Sequence, residues 1–413
     1  MAGTRKSRTF NELVFWRVFD HPYCQRGELG DHFGVSAATI SRTLQILIEK
    51  NLVVESISRH AAPGRQPRLL AVNPELAVLL GIEIDLDRVT AVATDMGGTL
   101  LGRGSLPYEA PAGLQPMLAA ARRAAGIALN DAGLPATGIR HVGVGHPGIL
   151  DREGVCLSWA NAPEWRQIPL RKALEDTFGA AMAMDDRSRA HALGERHASP
   201  EDARHPNSVY IVAGTGIGMA IFLDGRLFRG VTHTSGEFGH TVIDPSGPLC
   251  GCGNRGCVES FASIGAIGSF VAESRGRVQS VFTKAADAGA ITIEAIASAA
   301  SDGDPLAVQA IARAGSALGI GIANMVQVLN PSLVVLCGRL TRFAGAKLLQ
   351  SVCDTVRHNC SEMVAGSVEV RVAKPKKDIS AVGCAMLAAE AAAVRVLRER
   401  LFEGTADDEA LLE

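Results

Sequence analysis

"GEFGHTVIDPSGPLCGCGNRGCVES", residues 236–260, constrains the fold more than any other stretch of this chain. It brings one imidazole and three thiols, His240, Cys250, Cys252 and Cys257, into a single glycine-rich loop. That is a tetrahedral donor set suited to a structural Zn²⁺, with no open position left for catalysis. The alternatives are free cysteines in a metal-free loop, or an iron–sulfur cluster, for which His with three Cys is a less usual set. Nine cysteines, an odd count, read as a reduced protein with a metal site better than as a disulfide framework.

With 47% apolar and 20% charged residues, a chain of 413 residues has material for two or three globular domains. No unbroken apolar run reaches the roughly 18 residues of a membrane span, and the opening "MAGTRKSRTF" lacks the apolar core of a signal peptide. The expectation is a cytoplasmic protein with no membrane partner. Residues 1–75 carry ten Lys/Arg against seven Asp/Glu, so the N-terminal end is the basic one. The acidic end, 403–413, is expected to be disordered.

Leu13, Val14, Trp16 and Val18 recur at helical spacing, and "RGELGDHFG" reads as a second short helix. "GVS" is then a tight turn, with Ser36 placed to cap a third helix, "AATISRTLQILIEK". Helix, glycine turn, helix is the helix-turn-helix pattern. Ile40, Leu44 and Leu47 face inward, leaving Ala38, Thr39, Ser41, Arg42 and Gln45 outside to enter a major groove. A plain three-helix bundle is the alternative. "NLVVES" and "PRLLAV" form two strands of a wing, whose loop "SRHAAPGRQPR" offers Arg65 and Arg68 to a narrow minor groove, or simply to solvent.

After "NPE" at Asn73 to Glu75 the pattern changes to strand pairs and Ala-rich helices, an α/β architecture of two lobes. "GEFGH" with "CGCGNRGCVE", preceded by "GTGIG", by "GRLFRG" and by a winged helix-turn-helix, resembles the ROK family of repressors and sugar kinases, its transcriptional regulators in particular. The resemblance runs from about Phe10 to about Glu390. It implies an actin-like, sugar-kinase-like body: residues 76–185 as one lobe, a C-terminal helix at about 380–402 returning to it, and 186–379 as the other, with 1–75 as the DNA-binding domain. It also implies sugar contacts at Asn161, Asp186, Glu237, His240 and Glu259, whose carboxylates accept hydroxyl protons while a metal-bound imidazole donates from its second nitrogen. Polar packing is the other account of these residues.

"DMGGT", Asp95 to Thr99, looks like the phosphate loop of such kinases, yet it stands at the wrong place in the strand order. The place after the first strand reads "DLDR", where Asp85 and Asp87 bring negative charge toward a phosphate. "DMGGT" is then a hairpin turn with glycines at positive φ. Where the kinases carry Asn-Asp, this chain has Asp186-Arg187, and a guanidinium cannot serve as the base. A one-residue slip of that alignment would restore Asp186. Arg339 in "CGRL" adds bulk where the kinases have glycines beside the nucleotide.

The resulting expectation is a DNA-binding regulator, a repressor, acting on a double-stranded operator as a homodimer or dimer of dimers, with kinase activity lost. Its effector is a sugar, sugar acid or sugar phosphate, the acidic kinds being favoured by Arg187 unless Arg187 merely neutralises Asp186, Glu237 or Glu259. The rivals are a sugar kinase with an accessory DNA-binding domain and a regulator with no small-molecule effector.

Overall fold

The computed structural model describes residues 9–57, 68–108, 113–135, 139–159, 162–284 and 291–401. Arg65, Asn161 and the acidic stretch 403–413 lie outside the described residues. Helices α1 (Phe10–Asp20), α2 (Arg26–Phe33) and α3 (Ala37–Glu49) precede an antiparallel hairpin of β1 (Val53–Ile57) and β2 (Arg68–Val72). Gly34 ends α2 in the left-handed region, and the Ser36 side chain caps α3 by accepting the Thr39 N–H. Ile40, Leu44 and Leu47 are fully buried as expected; Leu13 is not, because the inward face of α1 is Val14, Phe15, Trp16 and Val18. Arg68 is the first residue of β2, paired with Ile57, rather than part of the wing loop.

The body follows. Strands β3 (Leu79–Ile84), β4 (Arg88–Thr94) and β5 (Leu100–Pro107), helix α4 (Leu114–Asp131) and strand β6 (Val142–His146) lead to a small sheet of β7 (Ile149–Leu150), β8 (Cys156–Ser158) and β9 (Arg166–Ile168). Helix α5 (Leu170–Phe178), strand β10 (Met182–Asp186) and helix α6 (Arg187–His197) come next, before β11 (Ser208–Ala213), β12 (Ile217–Leu223) and β13 (Arg226–Phe228). Helices α7 (Glu259–Ala262), α8 (Ile264–Ser274), α9 (Ile293–Ser301) and α10 (Pro305–Leu329), strand β14 (Leu333–Cys337), helices α11 (Arg339–Asn359) and α12 (Glu362–Gly366), strand β15 (Glu369–Val372) and helix α13 (Ile379–Leu401) complete it. Two five-stranded sheets result, ordered β10-β6-β3-β4-β5 and β13-β12-β11-β14-β15, each with its own apolar cluster.

The last helix ties these parts together. Gly81 on β3 and Gly143 on β6 let α13 lie directly on the first sheet, since a Cβ at either would collide with the backbone of Ala381 or Cys384. Farther along, Ala385, Ala389, Ala392, Ala393, Val396 and Leu397 join the cluster of Val14, Phe15, Trp16 and Leu44. Arg400 donates to the carbonyls of Lys50 and Asn51 at 3.1 Å each. At 1.5 Å per residue this one helix covers about 34 Å. Helices α10 and α13 are long and apolar enough to cross a membrane, but most of their apolar surface is buried in the fold, as in core helices.

Candidate functional site

A cleft of about 1110 Å³ opens between the two sheets, lined by Glu83, Asp85, Asp186, Arg187, Glu237 and Glu259 among others. Asp186 ends β10 and caps α6, its side chain accepting the N–H groups of Ser188 at 2.8 Å and Arg189 at 3.2 Å. Burial raises its pKa, with Asp185 adding to the shift and Arg189 opposing it. Glu237 is also raised, by burial first and then by Asp186. Glu259 accepts the Ile217 N–H at 2.8 Å, joining the start of α7 to the turn before β12.

His240 connects this acidic group to the cysteine loop. Its Nε2 lies 3.9 Å from Glu237 and its Nδ1 3.5 Å from the Cys250 sulfur. Cys252 and Cys257 sulfurs are 3.7 Å apart, and the four donor atoms lie within 4.8 Å of one another. Gly256 sits at φ 68°, where any side chain would strike the Asp244 carbonyl. The set is therefore compact enough to hold a metal ion, and all nine cysteines are free of disulfides.

Arg187 occupies the first position of α6, but its partners differ from those expected. The guanidinium donates to Asp85 at 2.5 Å and lies 3.9 Å from Glu83, rather than neutralising Asp186, Glu237 or Glu259 by direct contact. Burial works against its charge, and Asp85, Glu83 and Asp186 outweigh that, raising its pKa. Asp85 comes into reach because "DLDR" is the tight β3–β4 hairpin, closed by an Asp85 N–H to Arg88 carbonyl bond of 2.9 Å. Asp87 points to solvent.

"DMGGT" is the β4–β5 hairpin turn, with Gly98 at φ 71°; Gly97 does not adopt positive φ. The Asp95 side chain accepts the Thr99 N–H at 2.8 Å. Met96 is buried in the apolar cluster shared with α1, its N–H held by the Pro74 carbonyl at 2.9 Å, so this turn braces the first three helices against the body. Arg339 turns toward α9 and pairs with Glu294 at 2.9 Å.

The sequence reading missed a node built on Asp185. Its buried carboxylate accepts Arg189 Nε at 2.5 Å and Arg229 Nε at 2.7 Å. Arg189, itself buried, also donates to the carbonyls of Ser235 at 2.6 Å and His233 at 2.8 Å, and Arg152 donates to the Val231 carbonyl. Residues 229–237 thus form a strap pinned to the first sheet immediately before Glu237. The signal was present in "DDRSRA", where charges of both signs crowd a buried strand-to-helix junction and must find partners.

At the other end of the molecule, Ala38, Thr39, Arg42 and Gln45 are exposed on α3, Ser41 is half-buried beside Arg26 Nη1 at 3.5 Å, and the Ser36 hydroxyl is engaged in the cap. Glu55 binds Arg26 at 2.5 Å and Arg68 at 2.8 Å. Arg26 was not singled out in the sequence.

A ROK family model matches residues 80–391. The chain belongs to the ROK family. Among its relatives in that family is a xylose repressor from Caldicellulosiruptor bescii, 27% identical across 90% of this chain and 93% of that one. A glucokinase from Thermotoga maritima is 31% identical but spans 60% of this chain and 79% of its own length. A solved ROK family transcriptional regulator, described as a homolog of the E. coli MLC protein, superposes with a TM-score of 0.73 at 25% identity, covering 95% of this chain and 99% of that one. A ROK glucokinase from Streptomyces griseus, solved with glucose and AMPPNP, gives a TM-score of 0.67 at 25% identity and covers 76% of this chain and all of its own.

Proposed function

We propose that this ROK protein is a transcriptional repressor that answers to a sugar, and that its kinase-like body no longer transfers phosphoryl groups. The repressor relative matches through 90% of the chain, whereas the glucokinase structure covers 76%. The winged helix-turn-helix accounts for that kind of difference. Ser36, Ala38, Thr39, Ser41, Arg42 and Gln45 would face an operator, with Arg65 and Arg68 on the wing, and a two-fold operator calls for a homodimer or a pair of dimers.

One observation carries the loss of catalysis. Arg187 stands where the kinase pattern places its carboxylate base, and its charge is met by Asp85, which stands where that pattern places a phosphate loop. A guanidinium takes up no proton, and a carboxylate opposes an incoming phosphate. The same pair revises the effector favoured by sequence. With Arg187 committed to Asp85 and Glu83, the other matched sugar contacts in the cleft, Asp186, Glu237 and Glu259, are acceptors that suit the hydroxyls of a neutral sugar, while Arg166, Arg342 and Lys374 also line the cleft. Asn161 would complete the matched contacts.

The metal is read as zinc. Four ligands around Zn²⁺ at about 2.3 Å for sulfur and about 2.0–2.1 Å for nitrogen stand roughly 3.8 Å apart for two sulfurs and roughly 3.6 Å for sulfur and nitrogen. Cys252 to Cys257 at 3.7 Å and Cys250 to His240 Nδ1 at 3.5 Å match. Such an ion would be structural, fixing the loop between Glu237 and Glu259 and leaving His240 Nε2 to the cleft.

The test is an operator-binding titration by fluorescence anisotropy, on DNA selected from a random pool, with neutral sugars, sugar acids and sugar phosphates added in turn. Release by a neutral sugar, no ATP-dependent phosphorylation of that sugar, and one zinc per chain by elemental analysis are expected. Turnover of any sugar with ATP would restore the kinase reading, and release by the acid or phosphate alone would restore the anionic effector.

A further inference from the structure

A second cavity, of about 890 Å³, lies at the joint between the DNA-reading domain and the body and shares no lining residue with the cleft. Its walls come from α1, from β2, from the "DMGGT" turn, from α6, from the β12–β13 hairpin and from α13. Most of the surface is apolar, including Trp16, Phe19, Tyr23, Met96, Leu227 and Met386. Leu13 and Tyr23 remain 40% exposed at its edge, large apolar groups that the fold has not covered.

One side of the cavity is cationic. Arg226 is 76% exposed at the side chain and, among the described residues, is held by one long contact, 3.4 Å, to Asp20. Behind it, Arg196 uses Nη1 on the Asp202 and His205 carbonyls and the Ser208 hydroxyl, and stacks its guanidinium 4.8 Å from the Phe222 ring centre. Its Nη2 is buried and has no acceptor among the described residues. His21 and Arg196 Nη2 both lie beside Gly225, and His21 accepts a bond from Arg17 Nη1 at 2.5 Å. Burial first, then Arg17, Arg196, His32 and Arg226, hold the His21 pKa down to about 4. The facing carboxylates are Asp20, already paired, and Glu390, so positive charge at this wall is incompletely answered.

We propose that the joint cavity is a second ligand site, for a small molecule with an apolar, ring-sized body and one anionic head group. The body would lie against Trp16, Phe19, Met96 and Leu227, and the head would meet Arg226 in the field of Arg196. Volume, apolar lining and a few converging polar groups at a domain junction are the ordinary attributes of such sites. Because the walls belong both to the DNA-reading domain and to the body, a ligand here favours whichever arrangement of the two forms the cavity, and so influences DNA binding separately from the sugar cleft.

The probe is 1-anilinonaphthalene-8-sulfonate, an apolar aromatic with one negative charge, titrated by fluorescence into the full chain. Saturable binding at one site per chain is expected, weakened about tenfold or more by Arg226→Ala, as for loss of one charge-assisted contact. Leu227→Trp, which adds bulk to the apolar wall, should weaken it, and uncharged N-phenyl-1-naphthylamine should bind at least about tenfold more weakly. Circular dichroism would establish that each variant folds. Equal binding of the sulfonate to the unmodified chain and to folded Arg226→Ala, or equal binding of the uncharged probe, overturns the site. Neither result touches the repressor reading, which rests on the cleft and on operator DNA.

Discussion

The seat of the first three helices and the strap across the cleft are held by opposite kinds of interaction. At the seat, Val14, Phe15, Trp16 and Val18 merge with Ala385, Ala389, Ala392 and Val396 of α13 into one apolar cluster. Such packing is dense and moves as a unit. At the strap, residues 229–237 are held by arginines on carbonyls and on the single carboxylate of Asp185. Bonds of that kind can be exchanged singly with a ligand or with water. The contrast sets the exchangeable bonds beside Glu237, in the cleft, while α13 begins at the cleft and ends packed against the first three helices.

The sharpest way to separate the two regions is to damage the seat alone. Phe15→Ala should cost about 3–5 kcal/mol, from lost burial and an unfilled cavity, read by denaturant unfolding. Operator binding should be lost with it, while sugar affinity stays within about twofold, since Phe15 does not line the cleft. A parallel loss of sugar affinity would mean that the seat and the cleft form one cooperative unit.

That contrast was only half legible in the sequence. The apolar half was: the inward face of α3, that of α1 apart from Leu13 and Phe15, the Ser36 cap and the Gly34 turn follow from local periodicity and capping chemistry. So did the hairpin nature of "DMGGT" and the gathering of His240, Cys250, Cys252 and Cys257, because neighbours in the chain fix them. The polar half was not. Arg187 and Asp85 are 102 residues apart, and Arg189 reaches carbonyls more than 40 residues away. No spacing rule links such pairs; both Asp85 and Arg187 were noticed as departures from the kinase pattern, but only the strand order of the folded sheet brings them together.

A milder change probes the strap. Asp185→Asn keeps the shape of the node and removes its charge, leaving buried Arg189 and half-buried Arg229 without a full counter-ion. The expected cost is about 1–3 kcal/mol of stability. The more telling readout is the response to sugar. Operator binding without sugar should persist, because the seat is untouched, while the sugar concentration needed for release should change by about tenfold or more. An unchanged release curve in a folded variant would remove the strap from the coupling route.

The smallest expected effect lies at the far end of this region, where α2 and the β1–β2 hairpin share a cation pair organised by Glu55. Arg26 and Arg68 bind its two oxygens, and hydrogen bonds from both hold the Glu55 pKa below its ordinary value despite the opposing effect of burial. The Arg68 side chain is 72% exposed, so its ion pair should contribute at most about 1 kcal/mol, and Arg68→Ala should leave the unfolding midpoint nearly unchanged. DNA binding is the discriminating measurement. If Arg68 neutralises one phosphate, its loss should lower the slope of log affinity against log salt by about 0.9, with equal weakening on all sequences. A base-reading role would instead keep the slope and alter preference among sequences. An unchanged slope together with unchanged affinity would confine Arg68 to supporting Glu55, and would leave the exposed face of α3, with Arg42 at its centre, as the part of the described reader that meets DNA.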